Sequence, residues 1–551
     1  MATMPASSLL FLATVLLVCS HAHATEPTVN FTTGSIRGTE FVVEGVQVDG
    51  FLGVPYAKPP VGELRFALPV PFGDVGQLTA TNFSARCPQP PIGPQPPIPS
   101  SEDCLYLNVF RKSGTKQGDD KPVIVIVHGG GFSIGSASDF FYQSSPLAGL
   151  GDVVVVSFNY RLNILGFANM KELAASNVGL YDQRLALEWV QDNIKAFGGN
   201  PNRVTLMGVS AGSMAITLHI ESPLHREGRQ LFHSAILDGG VATLSALDDA
   251  EHSFSRVKEI AVKLGCKTED TELIACLRKV DADELVRLSF DAEGYSPIFT
   301  FRPTTGDEFI PNNFASCASD NESDSRQIKT LIGYAKNEGT WLADYHFNLT
   351  GSNFPNLTSE EEFLDWCAKL ANGYRLPIDV KADGVKKTVS ETYFNSHSSR
   401  FLDAAEFVGD GIFVCPINAY VKKHAEANVT MYAYRFDRRL QQKYSYLDPD
   451  RMGVFHTSPF LHMTGSLMDA KDLLPGSPAV DAADKAFFKD AIKLVADFAR
   501  TDETPSFRGV QLPNFSKGEG VLVFDEKPHV DNSLYNEDHC KKTFPTFEPQ
   551  S

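Results

Sequence analysis

The stretch Val204-Thr205-Leu206-Met207-Gly208-Val209-Ser210-Ala211-Gly212-Ser213-Met214-Ala215-Ile216-Thr217-Leu218-His219-Ile220 decides how this chain is read. Val204 to Met207 is an apolar run that reads as a buried strand, and Ser213 to Ile220 reads as a helix. Between them stands Gly208-Val209-Ser210-Ala211-Gly212, a Gly-x-Ser-x-Gly turn of the nucleophile-elbow type. The serine of such a turn takes a strained backbone conformation. Side chains beside it collide, which calls for glycine two residues before and two after. The turn lifts the Ser210 hydroxyl out of the sheet and sets it at a helix N-terminus, where the dipole favours developing negative charge. The pentapeptide alone is also a common Gly-Ser turn. The strand before it and the helix after it give it the chemical reading.

The chain of 551 residues is 43% hydrophobic, so it can bury a sizeable core. Its net charge of -18, with no basic run, argues against nucleic acid or an anionic membrane surface as partner. A solvated acidic surface accounts for that charge better than a site for cations does.

Leu9 to Val18 is an apolar run too short to span a bilayer, and Ala22-His23-Ala24 fits a small-x-small cleavage site. Residues 1–24 therefore read as a signal peptide and 25–551 as the mature chain, although no Lys or Arg precedes the apolar run. No later segment has the length and apolarity of a transmembrane anchor. Lys541 to Ser551 is polar, with neither a lipid-anchor tail nor a retention signal. A secreted protein is expected. Cysteine usage agrees: nine cysteines less Cys19 in the leader leave an even eight. Cys87 with Cys104, and Cys266 with Cys276, are close enough in sequence to close small loops. Spacing does not pair Cys317, Cys367, Cys415 and Cys540, and no Cys/His cluster points to a metal. Asn30, Asn82, Asn321, Asn348, Asn356, Asn428 and Asn514 each begin an Asn-x-Ser/Thr sequon, which fits a glycosylated, exported chain.

Gly34 to Phe51 alternates apolar and polar residues and reads as β-hairpins. Phe51 to Pro60 then reads as an extended loop. The Pro-rich stretch Pro88 to Pro99 reads as a surface loop between Cys87 and Cys104. Pro122 to Val127 and Asp152 to Phe158 are apolar on nearly every residue, as in parallel strands covered on both faces. Asp182 to Phe197 reads as a helix with Leu185, Trp189, Val190 and Ile194 on one face, ended by Gly198-Gly199-Asn200-Pro201. Further strands are expected at Lys329 to Tyr334, Val429 to Phe436 and Val521 to Asp525. Helices are expected at Asp248 to Leu264, Ser359 to Ala371 and Asp481 to Arg500. Strands alternating with helices, with no repeat and no linker, predict one doubly wound α/β domain over 25–551.

A serine hydroxyl is a weak nucleophile at neutral pH. It needs a base, the base needs an orienting acid, and the oxyanion needs donors. His128-Gly129-Gly130-Gly131-Phe132 follows a strand and offers bare N–H groups as donors, to which the residue after the nucleophile, Ala211, adds another. A phosphate loop is the weaker reading, because the run lacks the Gly-Lys-Ser/Thr ending. The acid and base of an elbow enzyme follow in the order Ser, Asp/Glu, His. Glu338 lies just past a strand end, where α/β sites form, and is otherwise a solvated turn carboxylate. His456 stands in the loop Gly453-Val454-Phe455-His456-Thr457, with His462 and His424 as rivals.

Over nearly its whole mature length the chain resembles the type-B carboxylesterase/cholinesterase family of α/β-hydrolases. The resemblance rests on Phe51-Leu52-Gly53-Val54-Pro55-Tyr56-Ala57, Ser101-Glu102-Asp103-Cys104-Leu105-Tyr106-Leu107-Asn108-Val109, the His-Gly-Gly-Gly-Phe run, Asn159-Tyr160-Arg161, Gly179-Leu180-Tyr181-Asp182-Gln183-Arg184 and the elbow. It implies an α/β-hydrolase fold with a large, mostly parallel central sheet flanked by helices. It implies Ser210, Glu338 and His456 as catalytic triad and Gly130, Gly131 and Ala211 as oxyanion hole. Gly465, about nine residues after the histidine as in the family, selects His456 over His462. The resemblance also implies disulfides Cys87–Cys104, Cys266–Cys276 and Cys415–Cys540, and structural ion pairs Arg65–Glu102 and Arg161–Asp182.

Several positions depart from the family pattern. Val209 stands where cholinesterases have glutamate, and no aromatic residue lies between Cys87 and Cys104 to bind quaternary ammonium. Choline esters are therefore poor candidates. Pro297-Ile298-Phe299 retains one of two expected acyl-pocket phenylalanines, so Pro297 and Phe299 mark a roomier acyl side. Gly239 replaces a serine near the triad, and Pro459 replaces a glutamate after the histidine. The expectation is a secreted serine carboxylesterase that takes small-molecule esters through an acyl-enzyme on Ser210, with no cofactor and no metal. The alternatives are a lipase or hormone-ester hydrolase on the same fold, or a non-catalytic adhesion or binding protein of this family.

Overall fold

The computed structural model describes residues 26–31, 34–90, 98–226, 228–243, 246–290, 299–312, 328–350, 359–397, 399–444, 447–469, 471, 476–500 and 503–547. Eleven strands of it hydrogen-bond into one sheet. In chain order they are β1 (Thr39–Val43), β2 (Val46–Pro55), β3 (Tyr106–Lys112), β4 (Lys121–Val127), β5 (Val154–Phe158), β6 (Gly199–Val209), β7 (Ser234–Asp238), β8 (Lys329–Ala335), β9 (Met431–Phe436), β10 (Val521–Phe524) and β11 (His529–Asp531). Across the sheet the order is β11-β10-β9-β8-β7-β6-β4-β5-β3-β2-β1. From β10 to β5 every pairing is parallel. β11 at one edge and β3, β2 and β1 at the other pair antiparallel.

The apolar runs explain the parallel centre. All five residues of β5 and of β7 are buried. Alternate side chains of β4 enter opposite cores: Val123, Val125 and Val127 on one face, Ile124 and Ile126 on the other. Covering both faces are helices that include α1 (Val178–Asn193), α2 (Ala211–Glu221), α3 (Gly339–Thr350), α4 (Arg400–Gly409), α5 (Ser458–Thr464) and α6 (Ala482–Arg500). This is the α/β-hydrolase architecture: a large, mostly parallel sheet flanked by helices.

Several expectations need correction. Phe51 to Pro55 is not loop but the end of β2, whose pairing with β3 shifts register between Phe51 and Val54. Gly34–Arg37 leaves the main sheet to pair with Thr28–Phe31 and Gly76–Thr79. β6 begins at Gly199, so the supposed helix stop is already strand. α1 starts at Val178, earlier than expected, and Ile194–Phe197 continues it as a separate 3₁₀ turn. Leu185 and Trp189 are only half-buried, while the polar Asp182 and Gln183 are fully buried. Each has a partner that makes this possible: Asp182 takes the guanidinium of Arg161 at 2.6 and 2.8 Å, and Gln183 faces His219 at 3.0 Å. Arg65 pairs with Glu102 at 2.5 and 2.7 Å in the same forked geometry.

Disulfides join Cys87 to Cys104, Cys266 to Cys276 and Cys415 to Cys540. Cys317 lies outside the described residues, as do the leader 1–24, Pro297, Asn321 and Asn356. Asn348 falls in α3. Asn30, Asn82 and Asn428 are exposed, whereas Asn514 is buried, which disfavours glycan attachment there. No helix among the described residues is long and apolar enough to cross a membrane.

Candidate active site

The carboxyl ends of β4, β6, β7 and β8 lie side by side, and every triad and oxyanion-hole candidate except His456 follows directly from one of them. Ser210 stands between β6 and α2 with φ 57° and ψ -128°, a region that costs a non-glycine residue about 1–3 kcal/mol. The glycines beside it are needed for space. A Cβ on Gly208 would come within 2.6 Å of the Gly212 backbone, and one on Gly212 within 2.1 Å of the Val127 carbonyl oxygen. The Ser210 N–H donates to the Asp238 carbonyl at 2.8 Å, which fixes the turn to β7.

After β4 the glycine run turns back on itself. Gly130 and Gly131 take φ of 115° and 61°, and the Gly130 carbonyl accepts from Ser133 and Ile134, each at 3.0 Å. The Gly129 N–H donates to the Tyr142 hydroxyl at 2.8 Å. Among the described residues the N–H groups of Gly130, Gly131 and Ala211 meet no protein acceptor. His128 is stacked on Tyr160, and burial pushes its pKa down to about 4, so it is a neutral structural ring at ordinary pH.

Glu338 follows β8 and is buried. Its Oε1 accepts from the Ala335 N–H at 2.8 Å, and its Oε2 takes the Nδ1–H of His456. The two loops are stapled together by Asn337, whose N–H donates to Val454 O at 2.9 Å and whose Oδ1 accepts from Val454 N at 3.0 Å. That is how residues 118 apart in sequence meet. Phe413 stacks on the His456 ring at 4.3 Å, and the ring's Nε2 is buried with no partner among the described residues. Phe413 is carried by a π-helical turn, Asp410–Val414, at the end of α4.

Gly239 lies against this pair and Gly240 against the serine. A Cβ on Gly239 would sit 2.9 Å from both Glu338 Oε1 and His456 Cε1, and one on Gly240 would sit 2.6 Å from the Ser210 carbonyl oxygen. The rival histidines are elsewhere. His462 lies inside α5 with Nδ1 on the Ser458 carbonyl at 2.7 Å, its pKa pushed down by burial to about 3. His424 faces Glu221 at 3.1 Å. Gly465 ends α5 with φ 68°, and Pro459 occupies its first turn. Phe299 is buried edge-to-face against Tyr374 at 5.7 Å.

A cavity of about 20 Å³ lies behind Glu338, lined by Asn337, Thr340, Glu406 and Asp410 among others. It is far too small for an ester. Among the described residues no group of three or more His, Cys, Asp or Glu gathers to hold a metal.

Sequence reading missed four residues that shape the site: Asp238, Asn337, Phe413 and Gln89. Gln89 was assigned to a surface loop but is buried. Its amide donates to the Gly135 carbonyl and accepts the Gly135 N–H, each at 2.8 Å, and so clamps the glycine run. No local pattern marks any of the four.

Comparison with known proteins places residues 25–541 in the Carboxylesterase family, and the chain belongs to that family. It is a serine carboxylic-ester hydrolase, and its substrates are small-molecule esters. An acetylcholinesterase of Bungarus fasciatus is 32% identical over 501 residues, covering 87% of this chain and 79% of the relative. The pyrethroid hydrolase Ces2a of Mus musculus is 31% identical over 543 residues, 94% of this chain and 92% of the relative. An acetylcholinesterase of Danio rerio is 34% identical over 447 residues, 77% of this chain and 69% of the relative.

Proposed function

We propose that the chain is exported behind a leader of residues 1–24 as one domain over 25–551, and that it hydrolyses carboxylic esters through an acyl-enzyme on Ser210. His456 Nε2 takes the Ser210 proton as the hydroxyl attacks the ester carbonyl. The N–H groups of Gly130, Gly131 and Ala211 hold the oxyanion, and Glu338 keeps the proton on His456 Nδ1 and stabilises the charged ring. The protonated ring passes its proton to the leaving alcohol. Water then enters through the same base and frees the acid. The observation that carries this reading is His456 itself. Its Nδ1 is committed to Glu338, while its Nε2 is buried and without a partner among the described residues, and the adjoining Gly239 and Gly240 lie against this pair and against the strained serine.

The substrate class follows from the departures. With Val209 before the serine and no aromatic cage residue between Cys87 and Cys104, quaternary ammonium esters lack a partner. Uncharged esters are the proposed substrates, and the pyrethroid-hydrolysing relative makes bulky alcohol portions worth including. The test is p-nitrophenol release from acetate, butyrate and longer acyl esters by the purified secreted protein, with and without an organophosphate. Turnover should vanish as one organophosphate attaches per chain at Ser210, and Ser210→Ala should lower turnover by at least ~10⁴-fold with folding intact. A labelled Ser210 with unchanged turnover would remove it from the mechanism.

A further inference from the structure

Asp238 closes β7 and is the residue before Gly239, yet neither motif nor comparison singles it out. Its side chain is buried at 1% exposure. Oδ1 meets the Tyr434 hydroxyl of β9 at 2.9 Å, and Oδ2 accepts the N–H of Phe460, in the first turn of α5 just after His456, at 3.1 Å. Its main-chain carbonyl accepts the Ser210 N–H. One residue thus ties the serine turn, the segment that follows the histidine, and β9, which lies beyond β8 in the sheet.

The titratable groups that face this carboxyl are Glu338 from the turn after β8 and Tyr434 from β9; α5 offers only a backbone N–H. His456 lies against Glu338. Among the described residues neither Asp238 nor Glu338 makes an ion pair with a lysine or arginine. Burial of two neighbouring carboxyls without a cation disfavours a second negative charge on Asp238. Glu338 has the imidazole to stabilise its charge. Asp238 meets only the neutral Phe460 N–H, which donates to Oδ2, and the neutral Tyr434 hydroxyl, which can accept the carboxyl O–H at Oδ1.

We propose that Asp238 is a positioning residue of the triad, carrying a neutral carboxyl that fastens the His456 segment to β7 while leaving the single negative charge on Glu338. Burial, and then the Glu338 charge, push the Asp238 carboxyl well above the usual range, in keeping with that state. A neutral Asp238 matters because a second carboxylate beside the pair would favour the protonated His456 ring, which cannot accept the Ser210 proton. The proposal rests on the triad proposed above.

The test compares Asp238→Asn and Asp238→Ala with the wild type. Asparagine matches a neutral carboxyl in shape and charge. It should keep kcat within about threefold and leave the acid limb of the kcat/KM–pH profile in place. Alanine removes both anchors and should lower kcat roughly 10–100-fold with KM little changed. The infrared spectrum of the resting protein at neutral pH should contain a protonated-carboxyl C=O stretch that Asp238→Asn abolishes. Absence of that band would overturn the proposal. So would an Asp238→Asn profile whose acid limb moves down by about one unit, the mark of a lost negative charge, or an alanine variant with wild-type kcat. The band is read without substrate, so a wild type that shows the band but hydrolyses no ester would count against the esterase site and for the neutral carboxyl.

Discussion

At Ser210 the backbone stores strain that the surrounding glycines make room for. Gly212 has ordinary helical φ, so its requirement comes from the Val127 carbonyl lying where a Cβ would go. Gly212→Ala should therefore displace the elbow from β4 and lower kcat by more than ~10²-fold while thermal unfolding still reports a folded chain; a wild-type rate would show that the strands part easily. Glu338 contributes through charge as well as shape. Glu338→Gln keeps the size but removes the acceptor that fixes the Nδ1–H tautomer, and kcat should fall roughly 10³–10⁴-fold, measured on p-nitrophenyl acetate. The serine was legible from five residues because strand, turn and helix are local. Glu338 was legible only as a carboxylate at a strand end, and His456 only through resemblance, since the Asn337–Val454 bond joins loops 117 residues apart and Phe413 reaches the ring from a third segment.

Among the elements, strands of the parallel centre were the easiest to read. Their burial on both faces demands an unbroken apolar run, and β4, β5 and β8 follow that demand within a residue or two. The buried face of α1 was misplaced because Asp182 and Gln183 are polar. Their burial depends on Arg161 and His219, which no helical periodicity reports. The glycine loop after β4 is likewise held by a residue from another segment. Removing the Gln89 clamp leaves the Gly135 N–H and C=O without their buried partner. Gln89→Leu should reduce kcat about tenfold or more with a smaller change in KM, because misplaced donors cost the transition state more than the ground state. An unchanged kcat would show that the loop holds without the clamp, and circular dichroism checks that the variant is folded.

For the whole molecule, three buried histidines contribute to the acid response. Burial holds His128, His219 and His462 neutral, with pKa values near 4, 3 and 3 against an ordinary 6.5. The unfolded chain then binds more protons, so their contribution is complete above about pH 6.5 and is lost as pH falls towards those values. Asp139, raised to about 6 by burial, acts in the opposite sense between its ordinary 3.8 and that value. Burial raises Asp238, Asp307, Glu406 and Asp484 in that same opposite sense, so the histidine contribution is read from a single substitution. His462, packed among Phe436, Phe487 and Phe488, tests this: His462→Phe should lessen the slope between pH 5 and 4 by about one proton, ~1.4 kcal/mol per pH unit. The Cys415–Cys540 bridge closes 125 residues and ties the π-helical turn region to the C-terminal helix Glu537–Thr543. Cys415→Ser should lower the melting temperature clearly, by chain entropy worth up to ~4–5 kcal/mol, and a wild-type melting temperature would show the loop is held without it.

What the residues determined alone is whatever depends on neighbours in sequence: the elbow, the glycine run, the apolar strands, the sequons and the family. Those features are short-range, and their physics is complete within a turn or a strand. The tertiary structure alone decided which acid meets which histidine, why His462 is excluded by its helix, and how Asp238, Gln89 and Asn337 hold the site together. Each of those outcomes is a hydrogen bond between groups brought close by the parallel sheet, whose crossovers set side by side the ends of strands lying tens to hundreds of residues apart.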